Sequence, residues 1–242
     1  MTADPNRASN MIERMAGVLV LFDIDGTLLS AGRASREALL DAFSRVGVEG
    51  MGFDGYDFSG KTDPQIVREL LAEKTSGGHP EELLDRVIDH YLESLEARIC
   101  PEAVVAKRGS AELLERLSRE ERVTLALLTG NHERGARAKL APLGFNAYFP
   151  FGAFGSDHAD RYELPAIAVA RARELTGADF QGKQVVVVGD SIHDVACGRA
   201  MNVKSVAVAS GLTAPERLAS ESPDHLFADF SDAEAVAEAI LA

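Results

Sequence analysis

The chain reads as an α/β fold, a doubly wound parallel sheet with an all-helical domain inserted after its first strand. Three observations carry this. Five short runs, 18–22, 123–128, 184–188, 205–209 and 225–228, are dominated by Val and Leu without polar alternation, as expected of strands covered on both faces. Helical patterns fall between the later runs, and strand–helix alternation of this kind builds a parallel sheet. The stretch 31–108 offers no convincing strand and repeats a helical period instead.

Taken in order, residues 1–17 form an N-terminal extension without the apolar core of a signal peptide. The first strand, 18–22, runs into Asp23-Ile24-Asp25-Gly26-Thr27. Ser35 then opens a helix with Ala38, Leu39, Ala42, Phe43 and Val46 on one face. Asp63-Pro64 is a helix start, a capping acid followed by proline, with Ile66, Val67, Leu70 and Leu71 behind it. After Gly77-Gly78 a third helix carries Leu84, Val87, Ile88, Tyr91, Leu92 and Leu95. These three helices can bury a core of their own, so 31–108 is expected as a domain inserted between 18–30 and 109–242. In the second part Ser110 caps a helix bearing Leu113, Leu114 and Leu117. Ala136 with Leu140, Ile167 with Leu175, and Val195 with Ala200 mark the helices that separate the remaining strands.

Bulk properties narrow the function. The 242 residues are 46% hydrophobic and 26% charged, ordinary for a globular protein with a substantial core. A formal charge of −13 argues against nucleic acid or an anionic membrane as the main partner. Two cysteines, Cys100 and Cys197, make neither a disulfide framework nor a zinc site. No apolar stretch approaches the ~20 residues that span a bilayer, and a cytoplasmic location is the expectation.

Ligands of open α/β sheets bind beyond the carboxyl ends of the strands, so the chemistry lies in what each strand delivers there. The first delivers Asp23 and Asp25, two positions apart and on one face of an extended backbone. Carboxylates held so close repel unless a cation or a proton intervenes. Asp25-Gly26 is also a hairpin signal, although only Leu28 and Leu29 would begin the return strand before polar Ser30. The second strand delivers Thr129-Gly130-Asn131. Asn131 suits a helix N-cap as well as a ligand contact, and Gly130 lets backbone N–H groups approach an anion. The third delivers Asp190, with Asp194 on the same side of a helix start. Either acid could merely complement the helix dipole, but beside Asp23 and Asp25 they make an oxygen-rich site suited to Mg²⁺.

DIDGT at 23–27, LLTGN at 127–131 and VVVGDSIHD at 186–194, in that order, resemble the haloacid dehalogenase superfamily, and within it phosphatases similar to phosphoglycolate phosphatase. The resemblance covers the chain from Val18 to its end. It implies a Rossmann-like core with the helical insertion as a cap, and a Mg²⁺-dependent phosphatase acting on a small phosphate ester through an aspartyl-phosphate. Asp23 would be the nucleophile and Asp25 the general acid/base. Thr129 would bind the phosphoryl group beside Gly26, Thr27, Gly130 and Asn131, while Asp23, Asp25, Asp190 and Asp194 would form the metal site. Dehalogenases and phosphonate hydrolases of the superfamily lack an acid two residues after the nucleophile, so Asp25 points to phosphate esters, cleaved by a phosphatase or moved by a phosphomutase. The family's usual charge-balancing lysine is missing from Asp160-Arg161-Tyr162-Glu163-Leu164-Pro165. Arg161 is its substitute, unless it pairs with Asp157 or Asp160 at the surface. A phospholigand-binding protein without activity is the reading from outside the enzymes.

Residues 55–62, GYDFSGKT, fit the nucleotide P-loop expression letter for letter. That motif works between a buried strand and a phosphate-binding helix start, and the preceding residues make a poor strand. The resemblance suggests instead a substrate-facing cap loop, with Lys61 and Thr62 reaching toward the non-reacting end of the substrate; a solvated loop ending in a helix cap at Asp63 is the alternative. His132 and His193 flank the motifs without forming a metal constellation.

Overall fold

The computed structural model describes residues 17–74 and 80–242. The N-terminal extension up to Ala16 and the Gly77-Gly78 linker lie outside the described residues. Six parallel strands make the main sheet: β1 (Val18–Phe22), β4 (Val123–Thr129), β5 (Gly152–Phe154), β6 (Val185–Gly189), β7 (Lys204–Val208) and β8 (His225–Phe227). Their order is β5-β4-β1-β6-β7-β8. The chain therefore winds outward from β1 in one direction and then returns to wind in the other. β1 sits at that reversal, flanked by β4 and β6, which is where an open α/β sheet forms its binding crevice.

The unalternated apolar runs are explained by helices on both faces. Along β1, Val18, Val20 and Phe22 enter one core with Leu113, Leu117, Leu140, Val236 and Ile240. Leu19 and Leu21 enter another with Leu164, Ala168 and Ala172. The first face is covered by α4 (Ser110–Ser118), α5 (Glu133–Leu140) and α9 (Ala233–Leu241), the second by α6 (Leu164–Thr176). Two further helices, α7 (Ile192–Ala200) and α8 (Pro215–Ser220), pack beside β7 through Val195, Ala207 and Leu218.

Three helices, α1 (Gly32–Arg45), α2 (Asp63–Lys74) and α3 (Pro80–Arg98), bury a separate cluster that includes Phe43, Ile66, Leu70, Leu71, Val87, Tyr91 and Leu95. The chain passes into and out of this bundle through β2 (Leu29–Ser30) and β3 (Val105–Ala106), paired antiparallel. These two-residue strands and β5 escape sequence reading because so few residues carry no period. The Asp25-Gly26 turn does form, with the Gly26 N–H on the Leu29 carbonyl, but Leu29 pairs with Ala106 and makes no hairpin with β1. Helix starts also differ from expectation: α1 begins at Gly32, ahead of Ser35. Gly109 precedes α4 in place of Ser110. For α2 the Thr62 hydroxyl accepts the Gln65 N–H, so Thr62 does the capping expected of Asp63. Among the described residues no helix is long and apolar enough to cross a membrane.

Gly109 shows how tightly the sheet end is closed. It holds φ +77°, and a Cβ there would overlap the Phe230 carbonyl, next to the bond from the Phe230 N–H to the Arg108 carbonyl. Left-handed geometry alone costs an L-residue ~1–2 kcal/mol. Gly109→Ala is expected to exceed that in urea unfolding, since the obstructing atom is backbone; a loss below it would show that the segment shifts freely.

Candidate active site

The strand ends of β1 and β6 bring three carboxylates together. Asp23, Asp190 and Asp194 are buried, with oxygens within 4.8 Å of one another. The Asp23 N–H continues the ladder to the Val188 carbonyl at 3.0 Å, which fixes the residue at the sheet edge. Asp194 stands in the first turn of α7, where Ser191 is the N-cap. Its Oδ2 accepts from the Ser191 N–H and hydroxyl at 3.0 and 2.6 Å, a reciprocal capping box. Asp190 Oδ1 accepts the Thr27 hydroxyl at 3.0 Å.

Arg161 binds the cluster together. It lies in a short 3₁₀ turn, Arg161–Glu163, and is 4% exposed. One nitrogen, Nη2, donates to Asp23 Oδ1 at 2.9 Å and Asp194 Oδ1 at 2.5 Å. The surface pairings do not occur: Asp157 is taken by Arg171 at 2.6 and 2.8 Å, and Asp160 caps the turn at the Tyr162 N–H. One guanidinium cannot neutralise three acids. Burial, only partly offset by Arg161 and reinforced by the neighbouring carboxylates, raises the Asp23 carboxyl to about 7. Burial, with Asp23 and Asp194 adding to it, raises Asp190 to about 8.

Asp25 departs from expectation. The strand ends at Phe22 and a turn follows Asp25; both aspartates line one cavity, but the Asp25 carboxylate is not among the clustered three. Its Oδ2 accepts from Lys139 Nζ at 2.7 Å and Asn131 Nδ2 at 2.8 Å. Lys139 also donates to Asn131 Oδ1 at 2.6 Å. Burial works against its charge, but Asp25, Tyr91 and Asp63 prevail and hold the ammonium above the ordinary lysine range. Sequence reading missed Lys139. The available signal was its position on the buried α5 stripe with Ala136 and Leu140.

The remaining expected residues divide by what occupies them. The Thr129 hydroxyl oxygen accepts the Asn131 side-chain and backbone N–H groups at 2.7 and 3.3 Å, which leaves its proton to donate. Asn131 is engaged by Lys139, Asp25 and Thr129, and does not cap α5; His132 does, its Nδ1 accepting the Arg134 N–H. Thr27 is fully buried and orients Asp190, so its hydroxyl is not offered to a ligand. The Gly26 N–H is likewise taken, by Leu29. Gly130 is where α2 docks: its carbonyl accepts the Asp63 N–H at 2.8 Å, and a Cβ on it would overlap the Lys61 carbonyl. Thr62 is buried with its hydroxyl on the Ala159 carbonyl at 2.6 Å, a docking and capping contact in place of the expected substrate contact. Lys61 Nζ pairs with Glu69 at 2.5 Å and lies 4.2 Å from the Tyr56 ring centroid. The segment follows α1 and a loop with no strand directly before it, so the P-loop context is missing. Asp63, expected only as a helix cap, accepts the His132 N–H at 2.7 Å, and burial raises its carboxyl to about 6. His193 meets the Tyr162 hydroxyl at 2.9 Å.

A cavity of about 940 Å³ opens over the strand ends. Asp23, Asp25 and Asp190 line its floor, and Arg36, Tyr56 and Lys61 of the helical bundle line its far side. Such a site can hold a divalent cation, present an oxygen nucleophile and exchange a proton at a second carboxylate.

Comparison with known proteins agrees with this geometry. A family model described as haloacid dehalogenase-like hydrolase matches residues 20–208. Phosphoglycolate phosphatase of Agrobacterium fabrum is 28% identical over 227 residues, covering 91% of this chain and 92% of the relative. Pyrophosphatase PpaX of Halalkalibacterium halodurans is 22% identical, covering 88% and 93%. The crystal structure of a hydrolase from Pseudomonas syringae has the same fold, with a TM-score of 0.68 at 20% identity over 90% of this chain and 96% of that one. Motifs, sheet order and site together place the chain in the haloacid dehalogenase-like hydrolase family.

Proposed function

We propose that this chain is a Mg²⁺-dependent phosphatase that hydrolyses a small phosphorylated metabolite through an aspartyl-phosphate on Asp23. The observation that carries the reading is the separation of two carboxylates at one sheet edge. Asp23 is held by Arg161 among acids, while Asp25 is held apart by Lys139 and Asn131. One is placed to attack and the other to carry a proton.

Asp23 attacks phosphorus as the P–O ester bond breaks, and Asp25 protonates the departing oxygen. Asp25 then takes a proton from the water that attacks phosphorus and releases Asp23. Thr129 donates its hydroxyl to a phosphoryl oxygen, and Arg161 offsets charge at Asp23. Mg²⁺ fits the donor set. Asp23 and Asp190 would hold it, because each keeps Oδ2 free of hydrogen bonds from described residues, whereas both Asp194 oxygens are engaged. Bound there, the ion would neutralise charge between nucleophile and phosphate.

Residues 31–108 act as the cap. Their Lys61, Arg36 and Tyr56 face the cavity opposite the acids, which suits closure over substrate and exclusion of water. Phosphoglycolate is the first ester to test, and pyrophosphate, a phosphoanhydride, comes second, after the relatives that carry those names.

A phosphate-release screen over metabolite esters with Mg²⁺ tests the activity. Isomerised sugar phosphate in place of free phosphate would indicate a mutase, and silence on every ester a binding protein. Asp23→Asn is expected to fold and to lose at least ~10³-fold in turnover; substantial residual activity would exclude the covalent route. The raised Asp23 and Asp190 carboxyls bind more protons folded than unfolded, so stability falls as pH rises through about 7 to 8. Above pH 6.5 the lowered His132 and His193 no longer oppose this trend. With EDTA the unfolding free energy should fall from pH 6.5 and level off above about 8, at up to ~1.4 kcal/mol per pH unit for each carboxyl still protonated in the folded chain, read as a falling melting temperature. Mg²⁺ should flatten the slope; a flat profile in EDTA would contradict the charge surplus.

A further inference from the structure

Lys139 is 3% exposed and its ammonium sits within a floor made by two site loops. Both bonds to the Asp25 carboxylate, from Lys139 and Asn131, fall on Oδ2. Oδ1 carries no hydrogen bond from a described residue, and the side chain is 38% exposed at the cavity. A carboxylate tethered at one oxygen keeps the other in a fixed place. Lys139 also decides which way Asn131 faces. With Oδ1 of the amide on the ammonium, Nδ2 must turn to Asp25 and to the Thr129 hydroxyl oxygen. One buried cation thus sets the geometry of two groups on the substrate side. Hydrophobic groups of similar volume often replace buried ion pairs without loss of stability, so stability alone does not explain an ammonium here.

We infer that Lys139 is a positioning residue for catalysis: by holding Asp25 Oδ2 directly and through Asn131, it keeps Oδ1 where the leaving oxygen and then the attacking water must exchange a proton. This rests on the phosphatase reading above. In the first step the Asp23–phosphorus bond forms, the ester P–O bond breaks, and the leaving oxygen takes the Asp25 proton. In the second the water–phosphorus bond forms, the Asp23–phosphorus bond breaks, and the water proton returns to Asp25.

The two steps differ in what they need from Asp25 when the leaving group is 4-nitrophenolate, which departs without a proton. Lys139→Met and Lys139→Arg in the full chain, with Mg²⁺, are compared with wild type by rapid quench, following 4-nitrophenol release and hydroxylamine-labile phosphoenzyme. In Lys139→Met, phosphorylation by 4-nitrophenyl phosphate should stay within about threefold of wild type while phosphoenzyme hydrolysis falls ~10²-fold, the low end of general acid–base contributions. Phosphoenzyme then accumulates, and turnover of an alkyl phosphate falls at least as far, in kcat more than in KM. Lys139→Arg keeps the charge but not the reach, and should change the ratio of the two steps about tenfold in the same direction. Equal loss in both steps, or an unchanged ratio in both variants, would overturn the role and leave the phosphatase reading standing. Should Lys139→Met fail to melt cooperatively, an unchanged ratio in Lys139→Arg alone overturns it. A wild type that forms no phosphoenzyme and hydrolyses no ester would overturn the phosphatase reading itself.

Discussion

Carboxylates crowd at the ends of β1 and β6 more densely than burial tolerates, and the site is organised around that excess. Asp23, Asp190 and Asp194 approach within 4.8 Å in a buried setting, where like charges repel strongly and water cannot screen them. A single Arg161 nitrogen bridges two of the three. The Ser191 capping box and the Thr27 hydroxyl absorb part of the remaining acceptor capacity. Burial, with too little positive charge to offset it and the neighbouring carboxylates adding to it, leaves the Asp23 and Asp190 carboxyls raised. A protein holds acids in that state at a cost in stability. Under the proposed function, a divalent cation arriving with a phosphate would be a physical reason to maintain it.

The neighbouring acid is handled in the opposite way. Asp25, two residues from Asp23, is matched by its own buried ammonium. The two aspartates thus stand in different electrostatic environments although they arise from one turn. Such divergence is how a pair of carboxylates takes up different tasks. The assignment proposed here, attack for Asp23 and proton transfer for Asp25, follows the environments as well as the motif.

The helical bundle is bound to this floor by contacts that leave little slack. The Asp63 N–H and carboxylate grip Gly130 and His132 on the core loop. Thr62 reaches the Ala159 carbonyl from the same helix start. Lys139 lies where these loops meet, close enough to Asp63 of the bundle to feel its charge. Docking at the start of α2 and orientation of Asp25 therefore share one set of loops.

Much of the fold was legible in the sequence because burial on two faces leaves unbroken apolar runs and the inserted helices carry their own period. β1 matches the expected Val18–Phe22, and the later strands differ by a residue or so at their ends. Strand ends delivering Asp23, Thr129 and Asp190 were also legible, since a parallel sheet aligns its carboxyl ends. Arg161 was expected as the charge-balancing cation, and it lies against Asp23 and Asp194. Partner choice was not legible. That Asp25 turns to Lys139, that Thr27 serves Asp190, and that Thr62 docks the bundle all depend on contacts between residues roughly 100 or more positions apart. Local pattern carries the backbone's hydrogen bonding and the alternation of faces. Which charged side chain meets which is decided only when the sheet and the inserted helices close on one another, because long-range distance and burial set those energies.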